Sequence, residues 1–171
     1  WKKEKLRRLC ELKPGDVFKD KNGTEYIVCE RLFGKMAVIR KEPLYKKMEF
    51  GDTNDWGESN PREYLNGEYL KELDDIFGVE NIIAHEVDLT SLDGYDNYGT
   101  CTDKVSCMTI LEYMKYHKFI GNCDSGYWLV TPNSTKTGYS SNDVRYIRSN
   151  GGVSCNWYGD VGYVRPFFIL K

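Results

Sequence analysis

The chain has 171 residues, of which 40% are hydrophobic and 29% are charged, and this balance is typical of one soluble globular domain. Its 24 basic and 26 acidic residues are intermingled and give a net charge of −2, so there is no basic stripe of the kind that binds nucleic acid. No run approaches the roughly 20 apolar residues of a membrane span, and no signal-peptide pattern is visible.

The aromatic content departs from the average, because 13 Tyr, 4 Trp and 7 Phe together make up 14% of the chain. Tyrosine offers a large contact area with a polar tip at a small entropic cost, and recognition surfaces concentrate it for that reason. Aromatic residues also suit pleated sheets. The composition therefore favours a recognition surface and a β-rich fold equally.

The first half of the sequence predicts an N-terminal helix, three strands and a longer helix. The first helix covers residues 1–12 and ends at "KPGD". Strands are predicted in "DVFKD", "TEYIVCERL" and "KMAVIRKE", with hairpin turns at Asn22-Gly23 and Gly34-Lys35. The segment "SNPREYLNGEYLKELDDIFG" has its apolar residues at helical spacing, and Gly67 weakens the middle of this helix.

The second half predicts short strands around one more helix. "NIIAHEVDL" and "VSCMT" are predicted strands, and Thr109 caps a helix over "ILEYMKYHKFI" in which Glu112 can complete a capping box. From Gly126 onward, strands are predicted in "GYWLVTP", "DVRYIRSNG", "GVSCNWY" and "YVRPFFIL". Two helices among many short strands separated by turns indicate a single α+β domain.

Catalytic and metal-binding patterns are weak in this sequence. Six cysteines are scattered without a CxxC pair, which fits reduced thiols in a cytosolic protein better than a zinc site or a disulfide framework. The even number of cysteines keeps a secreted protein open as an alternative. His85 and His117 lack the HExxH spacing and no GxSxG or phosphate-binding loop occurs, so each histidine is expected to be structural or exposed.

One acidic segment could offer hard oxygen ligands to calcium. It runs from Asp88 to Asp103 and contains Asp93, Asp96 and Asn97, but its spacing does not match an EF-hand. Asp and Asn are also good turn formers, because their side chains bond to the nearby backbone. The turn interpretation is preferred, and no metal or cofactor is expected.

Four motifs occur in a characteristic order: "WGESNPREYLNGEYL", "DKVSCMTILEY", "YWLVTP" and a closing "VRPFFIL". Together they resemble the bacterial and phage domain family DUF6273 over Leu12 to Lys171. The chain departs from the family pattern at Tyr163, where a small residue is common, and at Tyr127, which replaces the first of a Trp pair. The closing motif is also similar to that of formylglycine-generating-enzyme-type domains.

The resemblance implies that residues 13–171 form one C-type-lectin-like domain with two main helices, small antiparallel sheets and long loops. Domains of this architecture serve as the variable proteins of diversity-generating retroelements, in which adenine-directed mutagenesis rewrites a C-terminal stretch. Asn, Tyr, Ser and Asp are common products of that mutagenesis, and the stretch from Tyr139 to Tyr163 is rich in them.

This stretch is the candidate ligand-binding face, in which rings would supply anchor area and short polar side chains would supply adaptable hydrogen bonds. Its members are Tyr139, Ser140, Asn142, Asp143, Tyr146, Asn150, Ser154, Asn156, Trp157, Tyr158, Asp160 and Tyr163. The alternative is a set of ordinary hairpin turns with the rings packed below them.

The closing segment Val164–Leu170 is apolar on both faces and is predicted to be a central strand. Arg165 is expected to be a buried latch that pairs with a carboxylate or with carbonyls of the preceding loops, and a surface arginine is the alternative. Pro166 should lie at a strand start or a bulge, because it has no N–H to donate. Three further residues are assigned to the fold because each starts an element or fills the core: Trp56, Arg62 and Trp128.

The sequence therefore favours a non-catalytic ligand-binding module, cytoplasmic or phage-associated, whose partner is a protein or a glycan. One alternative is a structural or accessory part of a phage particle or surface protein. Another is a formylglycine-generating-type enzyme, in which Cys123 and Cys155 would bind copper. A calcium-dependent lectin is the fourth hypothesis.

Overall fold

The computed structural model describes residues 9–171, so most of the predicted helix over residues 1–12 lies outside the described part of the chain. Residues 9–12 form a turn in which the Leu12 N–H donates to the Leu9 carbonyl at 3.3 Å. The rest is an α+β domain with one long bent helix, a second helix and several small sheets, which confirms the predicted fold class.

The strands of the described residues follow in chain order as β1 (Val17–Lys19), β2 (Glu25–Leu32), β3 (Lys35–Arg40), β4 (Lys47–Glu49), β5 (Ile82–Ile83), β6 (His85–Asp88), β7 (Thr100–Asp103), β8 (Val105–Ser106), β9 (Tyr127–Pro132), β10 (Asp143–Ile147), β11 (Val153–Trp157), β12 (Val161–Tyr163) and β13 (Phe167–Leu170). The helices are α1 (Asn60–Asn66), α2 (Glu68–Phe77) and α3 (Ile110–Ile120), and 3-10 turns cover Trp56–Glu58 and Val79–Asn81.

The larger sheet is built around the C-terminal strand. Its order is β1-β2-β3-β13-β5, and β8 also pairs with β13, so β13 is central as predicted. The strand begins at Phe167 rather than Val164, directly after the buried Pro166. The three residues before Phe167 connect the two sheets. Pro166 cannot donate to a ladder, but its carbonyl accepts from the Arg40 N–H at 2.9 Å.

The turn between β2 and β3 lies at Phe33-Gly34, one residue earlier than the sequence predicts. Leu32 pairs with Lys35, so only two residues remain in the loop. Both have left-handed φ angles, 49° and 76°, which a two-residue hairpin of this twist requires. The glycine accepts that conformation freely, whereas the phenylalanine does so with strain.

A second sheet has the order β11-β10-β9-β12-β4. Its pairs are antiparallel except for the single parallel contact between β9 and β12. Every residue of β9 is buried, because structure covers both faces of this strand. The strands β6 and β7 form a separate two-stranded sheet, and β4, β7 and β12 were not predicted from the sequence.

The helices begin where local signals place them. The Ser59 side chain accepts from the Arg62 N–H at the start of α1, and Thr109 and Glu112 form the predicted capping box of α3. The long helix bends between α1 and α2 at Gly67, whose φ of −111° and ψ of −97° leave the helical region. A weak helix former in the middle thus becomes a bend rather than an end.

Two apolar clusters form the core, and the central strands separate them. One cluster, with Trp56 and Phe168, lies under α1 and α2, and the other, with Tyr113 and Phe167, lies under α3. Successive side chains of a strand point to opposite faces, so β13 and β9 each contribute to both clusters. The two helical layers are therefore joined through the same strands.

Arg165 is buried, with 1% of its surface exposed, and it fastens the junction between the sheets. Its guanidinium donates to the carbonyls of Arg40 at 2.8 Å and Lys41 at 2.9 Å, and to the Tyr127 hydroxyl at 3.2 Å. It also lies 5.1 Å from the centre of the Tyr127 ring. The expected pairing with carbonyls occurs, but these carbonyls belong to the last residue of β3 and the residue after it, not to the loops that precede Arg165.

Trp56, Arg62 and Trp128 have structural contacts. The Asp103 carboxylate, buried in β7, accepts from Trp56 Nε1 and from Arg62 Nε, each at 2.8 Å. Trp128 is fully buried and donates from Nε1 to the Met48 carbonyl at 3.2 Å. These bonds connect the start of the long helix to β7, and β9 to β4.

Candidate ligand-binding surface

Half of the predicted ligand-binding residues lie on the hairpin of β10 and β11, and the others flank it in the chain. Asp143 is opposite Trp157 and Ile147 is opposite Val153, and β11 forms the edge of its sheet. The hairpin is fixed to the core because Val144 belongs to one apolar cluster and Ile147 to the other. The predicted residues therefore occupy both faces of a ribbon, not one flat patch.

Tyr146, Ser154 and Asn156 share the face that carries Val144, because directly opposite residues project to the same side. The Tyr146 ring packs edge-on against Trp128 at 5.2 Å between centroids. Gly126 gives it room, since a Cβ there would lie 2.4 Å from Tyr146 Cε1. Tyr146 is half-buried, and much of its ring supports the fold.

Tyr158 and Tyr163 are also half-buried. Tyr158 packs against the first core cluster, and its carbonyl accepts from the Phe50 N–H at 2.9 Å. Tyr163 packs against the second cluster, and the Lys47 ammonium lies 4.7 Å from the centre of its ring. Both rings thus combine a structural contact with a smaller exposed edge.

Asn150 lies at the turn between β10 and β11, the end of the ribbon remote from Asp143. Its side chain accepts from the Gly152 N–H at 2.9 Å, and the adjacent Gly151 carbonyl accepts from the Tyr113 hydroxyl at 2.7 Å. A five-residue strand spans roughly 17 Å, so Asn150 is separated from the residues at the other end.

The open end of the hairpin carries the most exposed rings of the predicted set. Tyr139 is 60% exposed and Trp157 is 50% exposed. Ser140 and Asn142 are exposed beside Tyr139, and Asp160 is exposed beyond Trp157. A backbone bond joins these segments, since the Tyr158 N–H donates to the Asn142 carbonyl at 3.0 Å.

Two members of this surface were missed by the sequence analysis. The Lys136 ammonium lies 4.7 Å from the centre of the Tyr139 ring and 5.7 Å from that of Tyr95, which is 41% exposed. Tyr95 belongs to the acidic segment between Asp88 and Asp103, whose composition predicts turns or calcium ligands and not a binding ring. We call this area the loop-end surface: Tyr95, Lys136, Tyr139, Ser140, Asn142, Asp143, Trp157 and Asp160.

A buried asparagine holds the backbone beneath the loop-end surface. Asn54 is fully buried, and its amide donates to the carbonyls of Ser134 at 2.8 Å and Asp143 at 3.2 Å. Its side-chain oxygen accepts from the Tyr98 hydroxyl at 2.7 Å. One side chain therefore ties three loops together, which reduces the conformational freedom of the surface before it binds.

The acids between Asp88 and Asp103 take part in local contacts. Asp88 accepts from the Thr90 hydroxyl at 2.6 Å, and the hydrogen bond from Ser91 lowers the pKa of Asp93. In the described residues, no three His, Cys, Asp or Glu side chains come together as a metal site. These contacts are those of turn-forming residues.

The cysteines and histidines occupy separate environments. Cys123 lies in the core, where burial raises the pKa of its thiol, whereas Cys155 is half-buried with its sulfur 4.0 Å from an oxygen of Asp143. His85 lies 3.0 Å from the Ser106 hydroxyl, and burial lowers its pKa. His117 is exposed beside a tyrosine ring. The copper hypothesis stays a prediction.

Comparisons with family models, curated proteins and solved structures found no match to this chain. The resemblance to DUF6273 and the C-type-lectin-like assignment therefore stay predictions. No helix in residues 9–171 combines the length and the apolar character that crossing a membrane requires.

Proposed function

We propose that this chain is a non-catalytic recognition module that binds a protein or a glycan through the loop-end surface. The observation that carries the proposal is the pair of exposed rings, Tyr139 and Trp157, set among short polar side chains on a backbone held by Asn54. Large exposed rings are costly to leave in water, and interfaces concentrate them as anchors.

The anchoring of the loops supports the proposal. A flexible loop loses conformational entropy when it orders on a partner, which weakens binding. Here the Asn54 amide bonds and the two core contacts of β10 order the backbone in advance. The side chains of the loop-end surface can then vary without altering the frame.

The composition of the surface fits a polar partner. Lys136 lies between two tyrosine rings and adds a cation, while Asp143 and Asp160 add acceptors. Rings with mixed hydrogen-bonding groups can contact either the faces of sugars or a protein surface. In the same proposal, a diversity-generating retroelement rewrites residues 139–163, while the core and Asn54 stay constant.

The experiment is a binding screen of the labelled chain against a glycan array and against surface proteins of its native host. A double variant, Tyr139→Ser with Trp157→Ser, should bind the partner at least about tenfold more weakly, since two interface anchors are lost. The matched control is Tyr45→Ser, because Tyr45 is 96% exposed and lies outside the loop-end surface. Unchanged binding by the double variant would contradict the proposal.

A comparison of sister copies of the sequence tests diversification separately. Substitutions should gather between Tyr139 and Tyr163, and a reverse transcriptase with a template repeat should lie in the neighbouring DNA. Substitutions spread evenly along the chain would count against diversification, but they would leave the binding proposal in place.

A further inference from the structure

We propose that a cavity between the β2–β3 hairpin and α2 binds a small zwitterion, a molecule with one carboxylate and one ammonium group, such as a free amino acid. The cavity has a volume of about 300 Å³, at the lower end of the range for small-molecule sites. None of its lining residues belongs to the loop-end surface, so this site is independent of the function proposed above.

The first observation is a buried hydroxyl. Tyr69 lines the cavity with 2% of its surface exposed, and its hydroxyl makes no hydrogen bond of normal geometry within residues 9–171. The Tyr26 hydroxyl is a polar neighbour close enough to offset part of the rise that burial causes in the pKa of Tyr69. The two hydroxyls do not meet in hydrogen-bond geometry, however, and Tyr26 donates its own hydrogen to Asp20 Oδ2 at 2.9 Å. Buried polar groups are rarely left without a partner, so the Tyr69 hydroxyl is suited to bond an atom in the cavity.

That hydroxyl can act as a donor. Burial raises the pKa of Tyr69, so the hydroxyl keeps its proton over the physiological pH range. A neutral donor in a partly buried cavity favours a charged acceptor such as a carboxylate oxygen, because charge-assisted hydrogen bonds are stronger than neutral ones. This assigns the carboxylate of the ligand to the floor of the cavity.

The second observation is a half-buried arginine. Arg40 lies opposite Tyr26 in the β2–β3 ladder and lines both this cavity and an adjoining one of about 560 Å³. Among the described residues, no side chain or carbonyl forms a hydrogen bond or an ion pair with its guanidinium. A guanidinium presents planar paired donors that match a carboxylate, so Arg40 and Tyr69 can hold it together.

The charges at the rim select the second group of the ligand. Glu72 and Asp75 line the same cavity from exposed positions on α2, and neither forms an ion pair with Arg40. The Lys21 ammonium donates to the Asp75 carbonyl, so within residues 9–171 both carboxylates are left without an ion pair. A simple anion would be repelled by these carboxylates, and a simple cation would be repelled by Arg40. A ligand that carries both charges can place its carboxylate at Arg40 and Tyr69 and its ammonium near Glu72 and Asp75.

The test is an NMR titration of the full chain with free amino acids, using acetate and methylammonium as probes of one charge each. At least one amino acid should shift resonances of the cavity residues and bind at least about tenfold more tightly than either single-charge probe. The absence of such shifts for all amino acids would overturn the proposal. Acetate or methylammonium binding as tightly as the best amino acid would also overturn it.

Tyr69→Phe is the sharpest variant, because it removes only the hydroxyl. It should weaken amino-acid binding about tenfold and raise the melting temperature of the ligand-free chain, since an unpaired buried hydroxyl is lost. Arg40→Gln should abolish the binding. Tyr64→Phe is the matched control on the preceding helix and should leave the affinity unchanged.

Two outcomes with these variants would refute the site. If Tyr69→Phe lowers the melting temperature of the ligand-free chain, the hydroxyl has a structural partner and is not available to a ligand. If Tyr69→Phe binds with wild-type affinity, the hydroxyl does not contact the ligand. Neither result would affect binding at Tyr139 and Trp157, so the two proposals fail separately.

Discussion

Replacing Arg165 by methionine is expected to destabilise the fold by about 3 kcal/mol, a net value set by lost hydrogen bonds and relieved charge burial. The side chain is 1% exposed and forms no ion pair among the described residues. Its stabilising effect therefore comes from donors directed at neutral acceptors. Methionine keeps the unbranched stem about as far as Nε and removes all the donors, so the vacated guanidinium space also contributes to the loss.

The magnitude follows from the two short bonds to the Arg40 and Lys41 carbonyls. Hydrogen bonds to a charged group contribute about 1.5–3 kcal/mol each, so their loss costs about 3–6 kcal/mol. Removing a buried charge returns several kcal/mol of desolvation, which offsets part of that loss. In a chain of this length, a net loss of about 3 kcal/mol lowers the melting temperature by about 6–12 °C.

Urea unfolding followed by circular dichroism measures the effect. Arg165→Lys should lower the free energy of unfolding by more than half as much as Arg165→Met does. One ammonium cannot reproduce the planar guanidinium that reaches several acceptors. Arg148→Met is the control, since Arg148 is exposed, and it should change stability by less than about 0.5 kcal/mol. A loss below about 1 kcal/mol for Arg165→Met would refute the reasoning.

Two further predictions concern buried polar groups. Asp103→Asn should lower the free energy of unfolding in urea by about 2–4 kcal/mol, because Arg62, with its side chain 32% exposed, loses its carboxylate partner. Asp96→Asn is the control at an exposed aspartate, and an equal effect of the two substitutions would contradict the prediction. Burial holds the pKa of His85 below its ordinary 6.5, so the unfolded chain binds more protons and stability is lost as the pH falls from about 6.5 towards the folded pKa. His85→Gln should flatten this part of the stability profile, and an unchanged slope would show that another group causes it.

Features that depend on neighbouring residues could be predicted from the sequence. The capping box of α3 needs only Thr109 and Glu112, and the bend of the long helix needs only the weak helix former Gly67. The position of β13 was also accessible, because a run that is apolar on both faces belongs in the middle of a sheet.

Strands formed by pairing alone were not predictable. β12 covers Val161–Tyr163, and it exists because it pairs with β4, more than a hundred residues earlier, and touches β9. Three residues carry no recognisable alternation, and the same holds for β4. In such segments, the partner strand and not the local pattern sets the conformation.

The candidate site shows the same limit. In the sequence, Tyr139, Tyr146 and Trp157 look alike, because each is a ring among polar residues. Only the folded chain places Tyr146 over Gly126 and against Trp128, while the other two rings stay exposed. Exposure is set by what packs above a side chain, and that neighbour is remote in sequence.

The amino-acid sequence alone was enough to infer the α+β class, the helix caps, the central position of the last strand and the stretch that supplies exposed rings. Each of these follows from interactions within a turn or a strand, whose periodicity and capping residues are visible locally. Only the folded chain shows which rings are exposed, which carbonyls Arg165 binds, how Asn54 connects the loops and that Arg40 and Tyr69 line one cavity. Those contacts join residues that are neighbours only after the sheets have paired and packed, because burial and hydrogen-bond partners are properties of the assembled core.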